Sequence, residues 1–153
     1  MESREGILVI GICDDDKSWV QTCKNTLMKF AAFINIDMEI KCFYTSKELL
    51  DYQDIPLDAV FLDIELGRQN GIMIAKKLNR IRPNCRIIYM TNYLHYATEI
   101  YNTEHIWFVV KKQFRDKIGE IINRILHDLE NKTVHLVLKT VNNEIISVIP
   151  SDI

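Results

Sequence analysis

The sequence predicts an α/β fold in which a parallel β-sheet is covered by helices. Five short apolar runs of strand length alternate with segments whose apolar residues recur every three or four positions, as on one face of a helix. Most of the runs are wholly apolar, which is typical of strands buried on both faces of a parallel sheet. Regular alternation of strand and helix predicts a doubly wound sheet with right-handed crossovers.

The strands are expected at about residues 7–13, 38–44, 57–63, 85–90 and 106–110. The second run differs from the others, because Glu39 and Lys41 alternate in it with apolar residues at the strand period. Pro56 breaks the chain before the third run.

The helices follow the strands, and the longer ones carry an apolar stripe. Asp15 or Asp16 is expected to cap the first helix, and Ser46 to cap a short second one. The later helices are expected to end near Pro83, to span about 94–102, and to run from about Phe114 to Leu129. The stripes are Trp19, Val20, Cys23, Leu27, Phe30, Ala31 and Ile34, then Ile74, Ala75, Leu78 and Ile81, and last Ile118, Ile121, Ile122, Ile125 and Leu129.

Polar residues stand where the strands end. A five-strand unit of this size suits the flavodoxin-like order 2-1-3-4-5, in which strands 1, 3, 4 and 5 are neighbours and ligands bind at the carboxyl ends. The residues at those ends are Asp14, Asp15 and Asp16, then Asp63, Thr91 and Lys111. The fold therefore brings carboxylates, a hydroxyl and an ammonium group to one edge.

Such a set of groups is suited to a divalent cation and a phosphoryl group. Mg²⁺ takes a few carboxylate oxygens and keeps several waters, so Asp14, Asp15 and Asp63 are candidate ligands. The cation would offset the repulsion between these carboxylates. Asp63 would keep one oxygen for in-line attack on phosphorus, while Lys111 and Thr91 would bind phosphoryl oxygens.

Composition excludes several partners and favours a cytoplasmic location. The formal net charge is -2 and there is no block of Lys and Arg, so charge predicts neither a nucleic-acid surface nor a membrane surface. No apolar run reaches the roughly 18 residues of a membrane span. The four cysteines are widely spaced beside apolar segments, so we expect reduced, buried thiols rather than disulfides or metal ligands.

The last residues depart from the alternation. Residues 133–139 and 144–149 read as two strands, and Asn142 and Asn143 between them suit a tight turn. A hairpin of about twenty residues cannot bury a core of its own. We therefore expect residues 131–153 to be the truncated start of a second domain.

Taken together, these residues resemble a response-regulator receiver domain of the CheY-like type, over about residues 6–130. The matching positions are Asp14, Asp15, Asp63, Gly71, Thr91, Phe108 and Lys111. The resemblance implies that Asp63 accepts a phosphoryl group from a sensor histidine kinase, and that Thr91 and the aromatic Phe108 act as a switch. It also implies that Asp14, Asp15, Asp63 and the backbone carbonyl of Glu65 hold Mg²⁺. Such a protein is a signalling switch with slow autodephosphorylation rather than an enzyme.

The segments at 12–16 and 61–65 resemble the LytR/AlgR branch of that family, whose output is a LytTR-type DNA-binding domain. The final residues are similar to the opening strands of that output domain. The resemblance implies a transcription regulator that contacts DNA only through the missing domain. It also implies a possible homodimer through the face formed by helix 4, strand 5 and helix 5, and no membrane partner.

Three positions depart from the family pattern. Lys112 stands where proline usually follows the strand-5 lysine, Gly67 stands where the loop after Asp63 usually has proline, and Asn92 replaces a small residue. A cis peptide before a non-proline residue costs about 3 kcal/mol, so the bond after Lys111 is either strained or trans.

Two other function classes stay open on the sequence alone. A degenerate receiver would bind proteins regardless of phosphorylation, and the missing proline favours it. A haloacid-dehalogenase-like phosphatase would use Asp14 as nucleophile and Asp16 as acid/base, although the segment after strand 4 supplies no further acid.

Overall fold

The computed structural model describes the backbone of residues 6–141 and the side chains of residues 6–131. Its main sheet has five parallel strands: β1 (Ile7–Cys13), β2 (Asp37–Phe43), β3 (Ala59–Asp63), β6 (Arg86–Thr91) and β7 (Trp107–Val110). Their order is β2-β1-β3-β6-β7, which is the predicted order 2-1-3-4-5. The predicted fold class is therefore confirmed.

A small antiparallel hairpin of β4 (Glu65–Leu66) and β5 (Gln69–Asn70) follows β3. Gly67 has a φ of 61° at the first position of its two-residue turn, where glycine is preferred. The segment expected as a loop is thus an ordered hairpin that leads directly into a helix.

Three helices pack their apolar residues on the sheet. Helix α1 (Lys17–Phe33) begins after Asp16, whose carboxylate accepts from the backbone N–H groups of Ser18 and Trp19 at 3.0 and 3.1 Å. This confirms Asp16 as the cap. Helices α2 (Ser46–Asp51) and α3 (Gly71–Ile81) are capped by Thr45 and Asn70. Ser46 is therefore the first helical residue and not the predicted cap, because the Thr45 hydroxyl takes the N–H of Glu48.

The weak helix expected over 94–102 is a single 3₁₀ segment, Leu94–Thr98. None of its residues is buried, and Leu94 is 69% exposed. Short helices depend on an apolar face that packs, and Tyr96, which is partly buried against the core, is too little to stabilise a full α-helix here.

A second 3₁₀ turn, Lys111–Gln113, leads into α4 (Phe114–Val141). The chain divides into two compact units between Gly119 and Glu120, and the described part of the second unit is the remainder of α4.

The strand expected over 133–139 is wrong, because these residues are helical. Alternating apolar residues in a short run also include the i, i+3 and i+4 spacings of a helix, and no Gly or Pro interrupts the sequence there. The expected turn at 142–143 and strand over 144–149 lie outside the described residues. No helix among the described residues has the length and hydropathy needed to cross a membrane.

Candidate functional site

The sheet register brings the predicted site residues to one edge. Cys13 lies opposite Leu62 in the β1–β3 pair, so Asp14 and Asp63 each follow at the next position. Asp63 lies opposite Met90 in the β3–β6 pair, and Thr91 comes next. Val110, which precedes Lys111, lies opposite Thr91. Because parallel strands end together, four separate segments converge at this point.

Asp14 is the most enclosed of the acids. Its side chain has no solvent exposure, and Oδ1 accepts from the backbone N–H of Asp16 at 2.9 Å. Asp15 is exposed beside it. Carboxylate oxygens of Asp14, Asp15 and Asp63 all lie within 4.8 Å of one another. Three hard oxygen donors at this separation, one of them open to solvent, suit a cation such as Mg²⁺ that keeps part of its water.

Asp63 is held in an environment that disfavours its charge. The residue is 4% exposed, and its burial together with the Asp14 charge raises the pKa of its carboxyl to about 7. The Lys111 ammonium and the backbone N–H of Glu65, which donates to Oδ1 at 3.2 Å, act in the opposite direction. The carboxylate cluster is therefore costly without a cation.

Lys111 supplies the positive charge of the site. Its ammonium lies 2.6 Å from Oδ2 of Asp14 and 3.7 Å from Oδ2 of Asp63, and its side chain is 9% exposed. No peptide bond among the described residues is cis, so the bond between Lys111 and Lys112 is trans. The ammonium nevertheless reaches both carboxylates without the usual proline.

Thr91 is fully buried at the end of β6. Its Oγ1 accepts from the backbone N–H of Tyr93 at 3.1 Å. That bond uses an oxygen lone pair and fixes the hydroxyl group, whose hydrogen stays able to donate to an anion.

The hairpin after Asp63 orients the backbone of Glu65. The N–H of Gly71 donates to the carbonyl of Ile64 at 2.7 Å, so these two residues face each other as a hydrogen-bonded pair. In an antiparallel ladder the next pair, Glu65 and Asn70, is not hydrogen-bonded, and the backbone N–H and carbonyl of Glu65 therefore face away from β5. The Glu65 N–H bonds to Asp63, and in an extended strand the carbonyl of the same residue is directed to the same side. The ligand role expected for this carbonyl stays a prediction.

Gly71 allows the hairpin to close against the end of β3. A Cβ there would lie 2.8 Å from Cα of Ile64 and closer still to the carbonyl oxygen of Asp63. Real Cβ atoms do not approach backbone this closely, so the position requires glycine.

Two predicted positions lie at the margin of the site. Phe108 is half-buried on β7 and packs against the core. Asp16 is exposed, and its carboxylate is engaged in capping α1, which is a poor arrangement for the acid/base of a phosphatase.

Sequence reasoning missed two side chains next to the site. Trp19 was assigned to the apolar stripe of α1, yet its ring lies 5.4 Å from the Lys111 ammonium. Tyr96 donates from its hydroxyl to the Glu65 carboxylate at 3.1 Å. The available signal for Trp19 was its position in the first turn of the helix that follows Asp14.

A family model described as the response regulator receiver domain matches residues 10–123. The chain belongs to this family. Relatives include the sensory transduction protein LytR of Staphylococcus haemolyticus, which is 28% identical over 74 residues covering 48% of this chain and 29% of that protein. The sensory transduction protein LytT of Bacillus subtilis is 26% identical over 91 residues, covering 59% and 38%. The matches thus span only about a third of these relatives.

Solved structures show the same fold. The response regulator TrrA of Thermotoga maritima, described in complex with Mg(2+)-BeF, gives a TM-score of 0.67 at 24% identity, covering 77% of this chain and 98% of that one. A receiver domain protein of Methanospirillum hungatei gives 0.63 at 20% identity, covering 80% and 98%.

Proposed function

We propose that this chain is a phosphorylation-dependent switch in which Asp63 accepts a phosphoryl group from the phosphohistidine of a sensor histidine kinase. The observation that carries the proposal is the placement of the buried Asp63 carboxylate 3.7 Å from the Lys111 ammonium and within 4.8 Å of two further carboxylates. A nucleophile beside an ammonium group and a metal-ion site is what phosphoryl transfer needs, because its catalysis is mainly positioning and charge neutralisation.

The Mg²⁺ ligands in this proposal are Asp14, Asp15, Asp63 and the backbone carbonyl of Glu65. Their oxygen donors suit the ion, as does the raised pKa of Asp63, which reflects the burial of that carboxyl and the negative charge of Asp14 beside it. When bound, Mg²⁺ neutralises charge on the carboxylates and on the incoming phosphoryl oxygens. The TrrA complex with Mg(2+)-BeF supports such a site in a protein of the same fold.

In the transfer step an oxygen of Asp63 attacks phosphorus in line, and the bond from phosphorus to the histidine nitrogen of the kinase breaks. The nitrogen keeps the electron pair of that bond. The Lys111 ammonium and the Thr91 hydroxyl then bind phosphoryl oxygens. In the structure the Lys111 ammonium lies 2.6 Å from the Asp14 carboxylate, so it has to leave Asp14 in order to bind the phosphoryl group.

The switching step links Thr91 to Phe108. Thr91 is followed by Tyr93 in one hydrogen-bonded turn, so a shift of its hydroxyl toward a phosphoryl group moves that segment. We propose that Phe108, now half-buried, turns inward as the segment moves, and that this changes the face formed by Leu94–Thr98, β7 and the start of α4. Dimerisation through that face would control a LytTR-type DNA-binding output, for which the support is the resemblance of the segments at 12–16 and 61–65 to that branch.

The test is intact-mass analysis after treatment with acetyl phosphate and Mg²⁺. We expect a magnesium-dependent gain of one phosphoryl group in the wild type and none in Asp63→Asn. Asp14→Asn should reduce the gain through weaker Mg²⁺ binding. Asp16→Asn is the matched control, because it changes a neighbouring acid while keeping a good helix cap.

Two outcomes would point elsewhere. No gain in the wild type would favour a degenerate receiver that binds partners regardless of phosphorylation, for which Lys112 after Lys111 is the supporting observation. A gain that survives in Asp63→Asn but disappears in Asp14→Asn would favour a phosphatase-type nucleophile at Asp14.

A further inference from the structure

The Lys111 ammonium touches an aromatic ring as well as the carboxylates. It lies 5.4 Å from the centre of the Trp19 ring. A cation at this distance from an indole face is attracted by the ring quadrupole, and the attraction is larger where water is excluded. With a side chain that is 9% exposed, Lys111 meets that condition.

Trp19 is itself fixed by neighbours of the site. Its indole N–H donates to Sδ of Met90, the residue before Thr91, at 3.3 Å. Phe114 meets its ring edge-on, with ring centres 5.4 Å apart and planes at 79°. Phe114 meets Phe61 in the same way at 5.5 Å. These contacts therefore hold the indole ring in one position beside Lys111.

The backbone at Lys111 does not supply the same constraint. Lys111 begins a 3₁₀ turn, and the next residue is Lys112, which lacks the fixed φ of proline. A lysine side chain has four rotatable bonds, so its direction must come from the groups that it touches. Those groups are the two carboxylates and Trp19.

We propose that Trp19 is a positioning residue for phosphoryl transfer, and that its ring face holds the Lys111 ammonium as it moves from Asp14 to the phosphoryl group on Asp63. This inference rests on the proposed function. The ring faces the ammonium in the starting position, and it can compensate part of the hydration that the ammonium lacks while it changes partner.

The experiment is a double-mutant cycle on the rate of phosphorylation by acetyl phosphate, measured by intact mass in Mg²⁺. We expect Trp19→Leu to slow the reaction by roughly 2- to 30-fold, the range of a cation–π contact between exposed and dehydrated sites. The rate of Trp19→Phe should lie between those of the wild type and Trp19→Leu, because a phenyl ring attracts a cation less strongly than an indole ring. In a Lys111→Ala background, Trp19→Leu should cause no further loss. The control is Trp107→Phe on β7, which should keep the wild-type rate.

Equal slowing by Trp19→Leu with and without Lys111 would overturn the inference, since Trp19 would then act only through the fold. That result still leaves the wild type labelled, so it is distinct from failure of the proposed function, in which the wild type takes no phosphoryl group.

A spectroscopic measurement covers the case in which Trp19→Leu does not fold. In Trp107→Phe, Trp19 is the only tryptophan, so the tryptophan fluorescence comes from Trp19 alone. This emission should change on phosphorylation. Lys111→Ala should alter the starting emission and remove most of that change. Emission that is insensitive to Lys111→Ala would overturn the inference.

Discussion

Asp63→Asn should stabilise the metal-free protein, although it removes the proposed phosphoacceptor. The substitution removes a charge that burial and Asp14 disfavour, while an amide oxygen still accepts from the N–H of Glu65. The folded protein holds a proton on Asp63 up to about pH 7, whereas the unfolded chain releases it near 3.8. Unfolding therefore releases a proton between these values, and Asp63 lowers stability increasingly as the pH rises through this window.

The magnitude follows from the same shift. Each unit of pKa difference corresponds to about 1.4 kcal/mol, so the shift sets a ceiling of about 4 kcal/mol, and we expect roughly 2 to 4 kcal/mol at pH 8. The gain from Asp63→Asn should be near zero below pH 4, should grow up to about pH 7, and should then level off.

The assay is urea unfolding of wild type and Asp63→Asn in EDTA at several pH values between 4 and 8. Saturating Mg²⁺ should stabilise the wild type more than the variant and so narrow the difference, because the ion binds the folded carboxylates. A difference that does not change with pH, or a variant less stable than the wild type at pH 8, would refute this account of the site electrostatics.

Three further substitutions test other parts of the site. Lys111→Ala should keep or increase Mg²⁺ affinity, by about 2- to 10-fold, because it removes a competing cation from Asp14; weaker binding in titration calorimetry would contradict this. Gly71→Ala should lower the free energy of unfolding by about 2 kcal/mol or more, because its methyl group overlaps the backbone at Asp63; an unchanged urea midpoint would count against the closed hairpin. Asp16→Ala should cost about 1 kcal/mol through loss of the α1 cap while phosphorylation persists, and loss of labelling with stability intact would give Asp16 a chemical role.

The fold could be predicted because parallel strands buried on both faces leave an unmistakable pattern. β1 and β3 are apolar along almost their whole length, β6 is apolar between Arg86 and Thr91, and each strand is buried nearly throughout. The location of the candidate site could be predicted from the fold, because a polar residue that directly follows such a strand must lie at the carboxyl edge of the sheet. Asp14, Asp63 and Lys111 were found in this way without any knowledge of their side-chain contacts.

The contacts of Trp19 and Tyr96 could not be predicted for a different reason. Trp19 fits the helical spacing of the apolar residues of α1, and from that spacing alone it is assigned to the core. The spacing does not show that its ring also lies 5.4 Å from the ammonium of Lys111. Tyr96 lies in the short 3₁₀ segment Leu94–Thr98, and its partner Glu65 is 31 residues away in sequence. A periodic pattern reports which face is buried and not which polar group lies within reach.

The error over 133–139 arose from reading a short alternating run by itself. Val134, Leu136 and Leu138 suggest a strand, whereas Val134, Leu138 and Val141 have helical spacing, and the local pattern does not choose between them. Continuity with α4 decides the matter, because extending an existing helix avoids the cost of starting a new one.

The open edges of the main sheet also bear on how copies of this chain meet. An exposed strand edge offers unpaired backbone groups to any other strand. The edge strand β2 carries Glu39 and Lys41, whose charged groups pair at 2.9 Å and remain 44% and 34% exposed. The other edge, β7, is only four residues long. Adding a foreign strand at β2 would strip water from an ion pair, and β7 offers little length to pair with. Both edges of the sheet therefore disfavour aggregation by strand pairing. Contacts between copies of the chain are expected to form through side chains and not through backbone hydrogen bonds at a sheet edge.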